Sequence, residues 1–267
     1  MISSDRQNRI FDIVLRDHSV AVPDLARRFD VSPMTVRRDL ASLAEAGLVE
    51  RVYGGARLHS RAGGIPVSQK LIEHVAEKAS IAKTAAALVQ DGEVIAIDAG
   101  TTAVAFAREL RGKNLTVVTN SFRVMDALVG APNITLVGTG GFLMETALAN
   151  SHLDPVFVGP IAEATLRQFR PSKAFLGTAG ITLEEGLTDS RSIQYHIKAV
   201  MMEISREVYL LADHSKFGRV LYSVVGPVER LTGVVTDDGL SGQWRADLES
   251  LGVRVLVAEG AKSNLPA

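Results

Sequence analysis

The 267-residue sequence predicts an α/β protein that carries a small winged helix-turn-helix at its N terminus. Three short helical patterns, the last two forming a helix-turn-helix, and a glycine-centred hairpin fill residues 1–58. From about residue 73 to the end, apolar β-rich runs alternate with helical patterns, the signature of a largely parallel sheet with helices on both faces. Between them HSRAGGIPVSQKLI, residues 59–72, holds Gly63, Gly64 and Pro66 without periodicity and reads as a linker.

The first helical pattern places Ile10, Ile13 and Val14 at helical spacing, with Ser3, Ser4 or Asp5 available as caps. A short break, HSVAV, precedes a second pattern in which Leu25, Ala26 and Phe29 share a face behind Pro23. Ser32 then caps a third pattern with Pro33 in its first turn, burying Val36, Leu40 and Leu43 and ending at Gly47. That burial leaves Met34, Thr35, Arg37, Arg38 and Ser42 facing outward, most of them near the helix start. In a helix-turn-helix this end of the second helix reaches base edges. LVERVYGGARL follows as two extended pieces around Gly54 and Gly55, a hairpin wing that sets Arg51, Tyr53 and Arg57 against a phosphate backbone or minor groove. The candidate DNA contacts are therefore Ser32, Met34, Thr35, Arg37, Arg38, Arg51, Tyr53 and Gly54. A plainer reading makes VRRDL a solvated face on which Asp39 pairs with Arg38 or a neighbour.

Composition restricts the chemistry. Net charge is −1, and hydrophobic and charged residues make up 46% and 22%, as in ordinary globular proteins. Every basic residue before Lys70 is arginine, whose planar fork suits phosphates and guanine edges. Without cysteine there is no disulfide, thiolate metal site or cysteine nucleophile, and the six histidines show no metal-ligand spacing. No metal or cofactor is expected. No apolar run approaches the ~18 residues of a membrane span, and MISSDRQNRI lacks a signal-peptide core, which predicts a cytosolic protein with no membrane partner.

In the larger region, helix EKASIAKTAAALV leads to strand EVIAID, helix VAFAREL, strand LTVVTN, helix SFRVMDAL and strand ITLVG. Helix PIAEATLRQF, strand KAFLGTAG, helix SIQYHIKAVMMEI and strand EVYLLAD follow, then strand TGVVTD, a helix around Gln243 to Leu251, and strand VRVLVA. Ligands of such sheets bind at the carboxyl ends of the strands. The first strand ends in Asp98, Ala99, Gly100, Thr101 and Thr102, where a tight turn opens a helix and aims backbone N–H groups and two hydroxyls at one spot. No Gly-Lys-Ser/Thr follows, so a triphosphate loop is unsupported; a plain turn capped by threonine is the alternative. Asn120 and Ser121, Gly140 and Gly141, and Asp213 with Lys216 stand at further strand ends, and Lys173 begins another strand. Several such groups at one edge favour a small phosphorylated sugar or polyol.

The segment DRQNRIFDIVLRDHSVAVPDLARRFDVSPMTVRRDLASLAEAGLVERVYGGARL resembles the N-terminal winged helix-turn-helix of the DeoR family of bacterial transcriptional regulators. Tyr53 departs from the histidine that many members carry. EKASIA, IDAGTT, VVTNS, the GG pair, KAFLGTAGI, EEGLT and LLADHSKFG resemble the family's sensor domain. The resemblance implies a Rossmann-like, ribose-5-phosphate-isomerase-like fold for residues 73–267. It also implies that Gly100, Thr101 and Thr102 hold a phosphate while Asp98, Asn120, Lys173, Asp213 and Lys216 line the site. Expected partners are double-stranded operator DNA, a phosphorylated sugar or polyol effector, and further copies of the chain in a dimer or tetramer. An enzyme, a sugar-phosphate isomerase with an accessory DNA-binding module, is the rival. It needs a general base and groups that steady an enediolate. Where the isomerase carries acidic residues this chain has Leu176 and Ala179, and where it carries its carboxylate base the nearest match is Lys198. Glu184 and Glu185 fall in a loop. The acid/base set is missing, which favours a sensor.

Overall fold

In a computed structural model the described residues are 6–7, 9–10, 13–14, 19–45, 49–58, 73–144, 154–189 and 192–260. The expected caps at Ser3 to Asp5, the helix stop at Gly47 and the linker 59–72 lie outside them. The described residues form two compact units, one up to residue 58 and one from residue 73 onward.

In the first unit, β1 (Ser19–Ala21) leads into α1 (Val22–Phe29) and α2 (Pro33–Glu45), followed by β2 (Val49–Val52) and β3 (Gly55–Leu58). The HSVAV break thus contains a strand: β1 pairs antiparallel with β3, the middle strand of a three-stranded sheet. Three residues with only Val20 partly buried carry too little alternation to be read as a strand from sequence. Asp30 ends α1 in the left-handed region, its N–H bonding Ala26 O. Val36, Leu40 and Leu43 of α2 pack with Ile10, Ile13, Val14, Leu25 and Val49 in one apolar core.

The second unit is built on seven parallel strands: β4 (Val94–Ile97), β5 (Leu115–Thr119), β6 (Ile134–Gly138), β9 (Lys173–Leu176), β12 (Glu207–Leu211), β14 (Gly233–Thr236) and β15 (Arg254–Val257). Their order is β15-β14-β12-β9-β4-β5-β6. The interior strands are almost wholly buried, and their sequences VIAI, KAFL and GVVT show why: a strand covered on both faces has no polar side to alternate with. Helices α3 (Val75–Ala86), α4 (Thr101–Glu109) and α5 (Phe122–Leu128) cover one face through Ile81, Phe106 and Leu128. The other face carries α6 (Pro160–Leu166), α7 (Ser192–Ile204) and α8 (Gly242–Ser250) through Leu166, Met201 and Leu248. From β4 the chain moves outward to β5 and β6, then returns to the other side of β4 at β9. The switch point of this doubly wound sheet therefore lies between β4 and β9.

Two excursions were not legible in the alternation. β7 (Phe142–Met144) and β8 (Val156–Val158) form an antiparallel ribbon, and β10 (Gly180–Thr182), β11 (Gly186–Asp189) and β13 (Ser223–Gly226) form a second antiparallel sheet. Glu184 and Glu185 are exposed in the turn between β10 and β11. Among the described residues no helix is long and apolar enough to cross a membrane.

Candidate functional site

The start of α2 is fixed by Ser32, whose Oγ accepts the Thr35 N–H at 3.2 Å while Pro33 occupies the first helical position. Asp39 does not pair with Arg38. It is buried, and its carboxylate accepts Arg6 Nε at 2.6 Å and Gln7 Nε2 at 3.2 Å, tying the first helical segment to α2. Arg37 and Arg38 are exposed, and neither has a hydrogen-bonding or ionic partner among the described residues. Met34 is 68% exposed beside them. An exposed apolar side chain next to two unpaired arginines fits a base edge with its neighbouring phosphates better than it fits water. In the wing the turn is Tyr53 and Gly54; Gly55, read as part of it, already belongs to β3 and pairs with Val52. Tyr53 and Arg51 project into solvent from the hairpin. Asp39→Ala should leave Arg6 without its carboxylate and destabilise this unit by about 1.5–3 kcal/mol. Amide exchange of α2 in the variant checks this, and unchanged protection would refute it.

At the carboxyl edge of the large sheet, β4 delivers Asp98 and the turn that opens α4. Gly100 holds φ 122°, a left-handed conformation suited to glycine, and no atom lies within 4 Å of where a Cβ would stand. The first α4 bond runs from Val104 N to Gly100 O, so the amides of Thr101, Thr102 and Ala103 keep no partner within the helix. Thr101 and Thr102 are partly exposed, and the position over Gly100 beside them is open. An anion is the ligand such a helix start favours.

Across the switch point lies an ion cluster that sequence reasoning missed. Lys198, on α7, is wholly buried; its Nζ donates to Asp189 Oδ2 at 2.7 Å and to Gly177 O at 2.7 Å, and lies 3.2 Å from Asp98 Oδ2. Asp98 Oδ2 also accepts the Gly177 N–H at 3.2 Å. Burial alone would lower the Lys198 ammonium, but Asp189 and Asp98 outweigh it and hold the group above the ordinary lysine range. Burial pushes the Asp98 carboxyl upward, against the pull of Lys198 and the N–H groups of Ala99 and Gly177. One ammonium between two buried carboxylates is a fixed cation rather than a base.

At the end of β12, Asp213 accepts the Ser215 N–H at 3.1 Å and lies 3.1 Å from Lys216 Nζ. Burial would raise its carboxyl, yet the Ser215 hydroxyl and Lys216 hold it below the usual carboxylate range. Lys78, at the start of α3, donates to Glu73 O at 2.5 Å. Its ammonium sits below the usual range, first through burial, with Asp213 opposing and Lys216 adding to the fall. His74, which precedes α3, meets the His214 ring at 5.1 Å and so sets the start of α3, with Lys78, at this same edge; in the sequence only EKASIA hints at it.

The remaining expected residues divide. Asn120 is buried after β5, donating Nδ2 to Phe157 O at 3.2 Å, and its Oδ1 has no hydrogen-bond partner among the described residues. Ser121 is buried and caps α5 by accepting the Val124 N–H. Gly140 and Gly141 follow edge strand β6. A Cβ on Gly141 would stand 2.7 Å from Val158 O, so close backbone approach explains that glycine without a ligand. Lys173 is the clear correction. It opens β9 at the amino edge of the sheet and pairs there with Glu93, the full length of the strand away from Asp98 and Gly100. In a parallel sheet a residue that begins a strand cannot join a site built on strand ends.

Residues 6–62 match the DeoR-like helix-turn-helix domain, and residues 73–238 match the DeoR C terminal sensor domain. The chain is 35% identical to the HTH-type transcriptional regulator IolR of Bacillus subtilis (strain 168), over 87% of this chain and 90% of that protein. It is 34% identical to the glycerol-3-phosphate regulon repressor of Escherichia coli (strain K12), over 89% of this chain and 92% of that protein. Among solved structures, ribose 5-phosphate isomerase A of Methanocaldococcus jannaschii aligns over 52% of this chain and 53% of its own, at 22% identity with a TM-score of 0.38.

Proposed function

The chain belongs to the DeoR family of DNA-binding transcriptional regulators, and from that premise we propose that it represses a carbohydrate catabolic operon and is released by a phosphorylated sugar or polyol. Residues 1–58 act as the DNA-binding domain, 59–72 as the linker and 73–267 as the sensor. Relatives named as repressors, among them the glycerol-3-phosphate regulon repressor, support the sign of regulation. The observation that carries the sensor reading is the fixed Lys198 cation beside an open helix start: the edge has donors for a phosphate, while the lysine that stands nearest the isomerase's base is immobilised between Asp98 and Asp189.

The mechanism is linkage. A dimer or larger assembly reads two half-sites whose spacing follows the symmetry of the protein. An effector that binds one arrangement of the assembly more tightly shifts the population toward it, and DNA and effector then oppose one another by a coupling of roughly 1–3 kcal/mol. Fluorescence anisotropy of DNA flanking the gene, titrated with pentose phosphates, hexose phosphates and glycerol 3-phosphate, tests the reading. Release by one of them is expected; tight DNA binding that no sugar phosphate alters would overturn it. Thr101→Ala is expected to weaken the effective ligand by about 1.5–3 kcal/mol while operator affinity without ligand stays as in wild type. If Thr101 served only as a helix cap, the variant would lose thermal stability and keep its release curve.

A further inference from the structure

The strand ends hold one side chain that neither a capping nor an ion-pair role uses up. His214 follows β12, and its ring is fixed from one side by Asp237, a buried residue at the end of β14. His214 Nδ1 lies 2.7 Å from Asp237 Oδ2, and the His214 backbone N–H donates to Asp237 Oδ1 at 2.7 Å. Asp237 Oδ2 is held in turn by the Gly239 N–H at 3.1 Å. A carboxylate only accepts, so Nδ1 carries the hydrogen and Nε2 is left as the acceptor of the neutral ring. The two ring nitrogens diverge, and Nε2 has no partner among the described residues, although the side chain is only 37% exposed. His74, just before α3, meets the ring edge-on at 5.1 Å and closes a second side.

Asp237 invests both of its oxygens in orienting this histidine. That exceeds what packing requires of a partly exposed ring, and it matches the way buried carboxylates set the tautomer of functional histidines. The neighbours are Asp213 and Lys216 on the same strand end and Lys78 across from them. β12 stands two strands from β4, about 10 Å along the edge, and long side chains reaching inward shorten that span. A sugar phosphate with its phosphate on the α4 start is long enough for its hydroxyls to approach the β12 end if it lies along this edge.

We propose that His214 is an effector-contacting residue that accepts a hydrogen bond from a ligand hydroxyl at Nε2, with Asp237 as its positioning residue. The assignment rests on the effector-site reading given above and deepens it: the site recognises a polyhydroxy phosphate through two separate elements. The α4 start takes the phosphate, Lys216 adds positive charge from the β12 end, and His214 reads the carbon chain.

The full-length protein tests this by calorimetric titration with two probes. One is inorganic phosphate; the other is the tightest binder among ribose 5-phosphate, glucose 6-phosphate and glycerol 3-phosphate. His214→Ala should weaken the sugar phosphate by about tenfold, the worth of one hydrogen bond in a partly enclosed site, and leave inorganic phosphate unchanged. Lys216→Ala and Thr101→Ala should weaken both probes. His214→Gln, which keeps a polar end of similar reach, should recover part of the loss, and Asp237→Asn should give a sugar-selective loss like that of His214→Ala. A His214→Ala protein that binds the sugar phosphate as wild type does, or loses both probes equally, overturns the assignment while the phosphate variants still lose binding. Should Lys216→Ala and Thr101→Ala also leave inorganic phosphate binding intact, the effector site itself is wrong and the role of His214 falls with it. If His214→Ala does not fold, the ratio of the two affinities in His214→Gln and Asp237→Asn decides: an unchanged ratio overturns the proposal.

Discussion

Arg37→Ala combined with Arg38→Ala is expected to weaken operator binding by roughly 2 kcal/mol or more at fixed salt, with the fold intact. A base-reading arginine contributes about 1–3 kcal/mol of discrimination, and a phosphate-contacting one contributes affinity for every sequence alike. Both side chains leave the exposed face of a helix whose apolar side is locked by Val36, Leu40 and Leu43, and neither holds another part of the unit together. Their removal should not move the thermal midpoint. The single variants then sort the roles. One that relaxes preference at a single base pair marks a base contact, and one that lowers the slope of affinity against salt by about one marks a phosphate contact. A double variant that binds operator as tightly as wild type at the same salt would show that α2 is not the reading helix.

The pairing of Asp39 illustrates what the sequence could carry and what it could not. VSPMTVRRDL announced a capped helix with an apolar side, because Ser32, Pro33 and the spacing of Val36, Leu40 and Leu43 are local signals. The partner of Asp39 was not local: Arg6 stands 33 positions earlier, and only folding brings the two within 2.6 Å. The larger unit repeats the contrast. Alternating apolar runs announced the parallel sheet, since strands buried on both faces are written in continuous Val, Ile and Leu. The strands β7, β8, β10, β11 and β13, three or four residues each, are too brief to show a period. The turn at Gly100 was visible because a glycine before two threonines is local chemistry. The sequence already sets Lys173 at the start of its strand; its place in the site rests on the family resemblance alone, which strand geometry overrules. The sequence singles out Lys198 as the match to a missing base, but its pairing with Asp98 and Asp189, like that of His214 with Asp237, depends on strand order, which long-range packing sets.

Lys198→Ala should destabilise the sensor unit by about 3–5 kcal/mol, the range for removing one partner of a buried charge pair. The side chain is wholly buried, and its loss leaves Asp98 and Asp189 facing each other with no cation between them. The pH dependence has a definite sign. In the wild type the Lys198 ammonium is held above its unfolded range, so its contribution is complete at neutral pH and fades only as pH rises through the folded value. In the variant the Asp98 carboxyl, already pushed up by burial, loses the attraction that opposed the push. A carboxyl whose folded pKa exceeds its unfolded one binds more protons when folded, so the variant should recover stability as pH falls from 7.5 toward 5.5. Urea unfolding followed by fluorescence of Trp244, the single tryptophan of the chain and an edge-on neighbour of Phe217, reads this unit directly. Adding Asp189→Asn to Lys198→Ala should restore part of the loss by removing one of the two uncompensated charges. A deficit below about 1 kcal/mol, the worth of an exposed ion pair, would mean that the cluster is solvated and holds nothing in place. A deficit that grows as pH falls would mean that Asp98 is not the group left uncompensated. Because the same lysine pins Gly177 beside Asp98, at the turn that opens α4, the stabilised double variant should still bind effector more weakly than wild type, separating the ordering of the site from the stability of the fold.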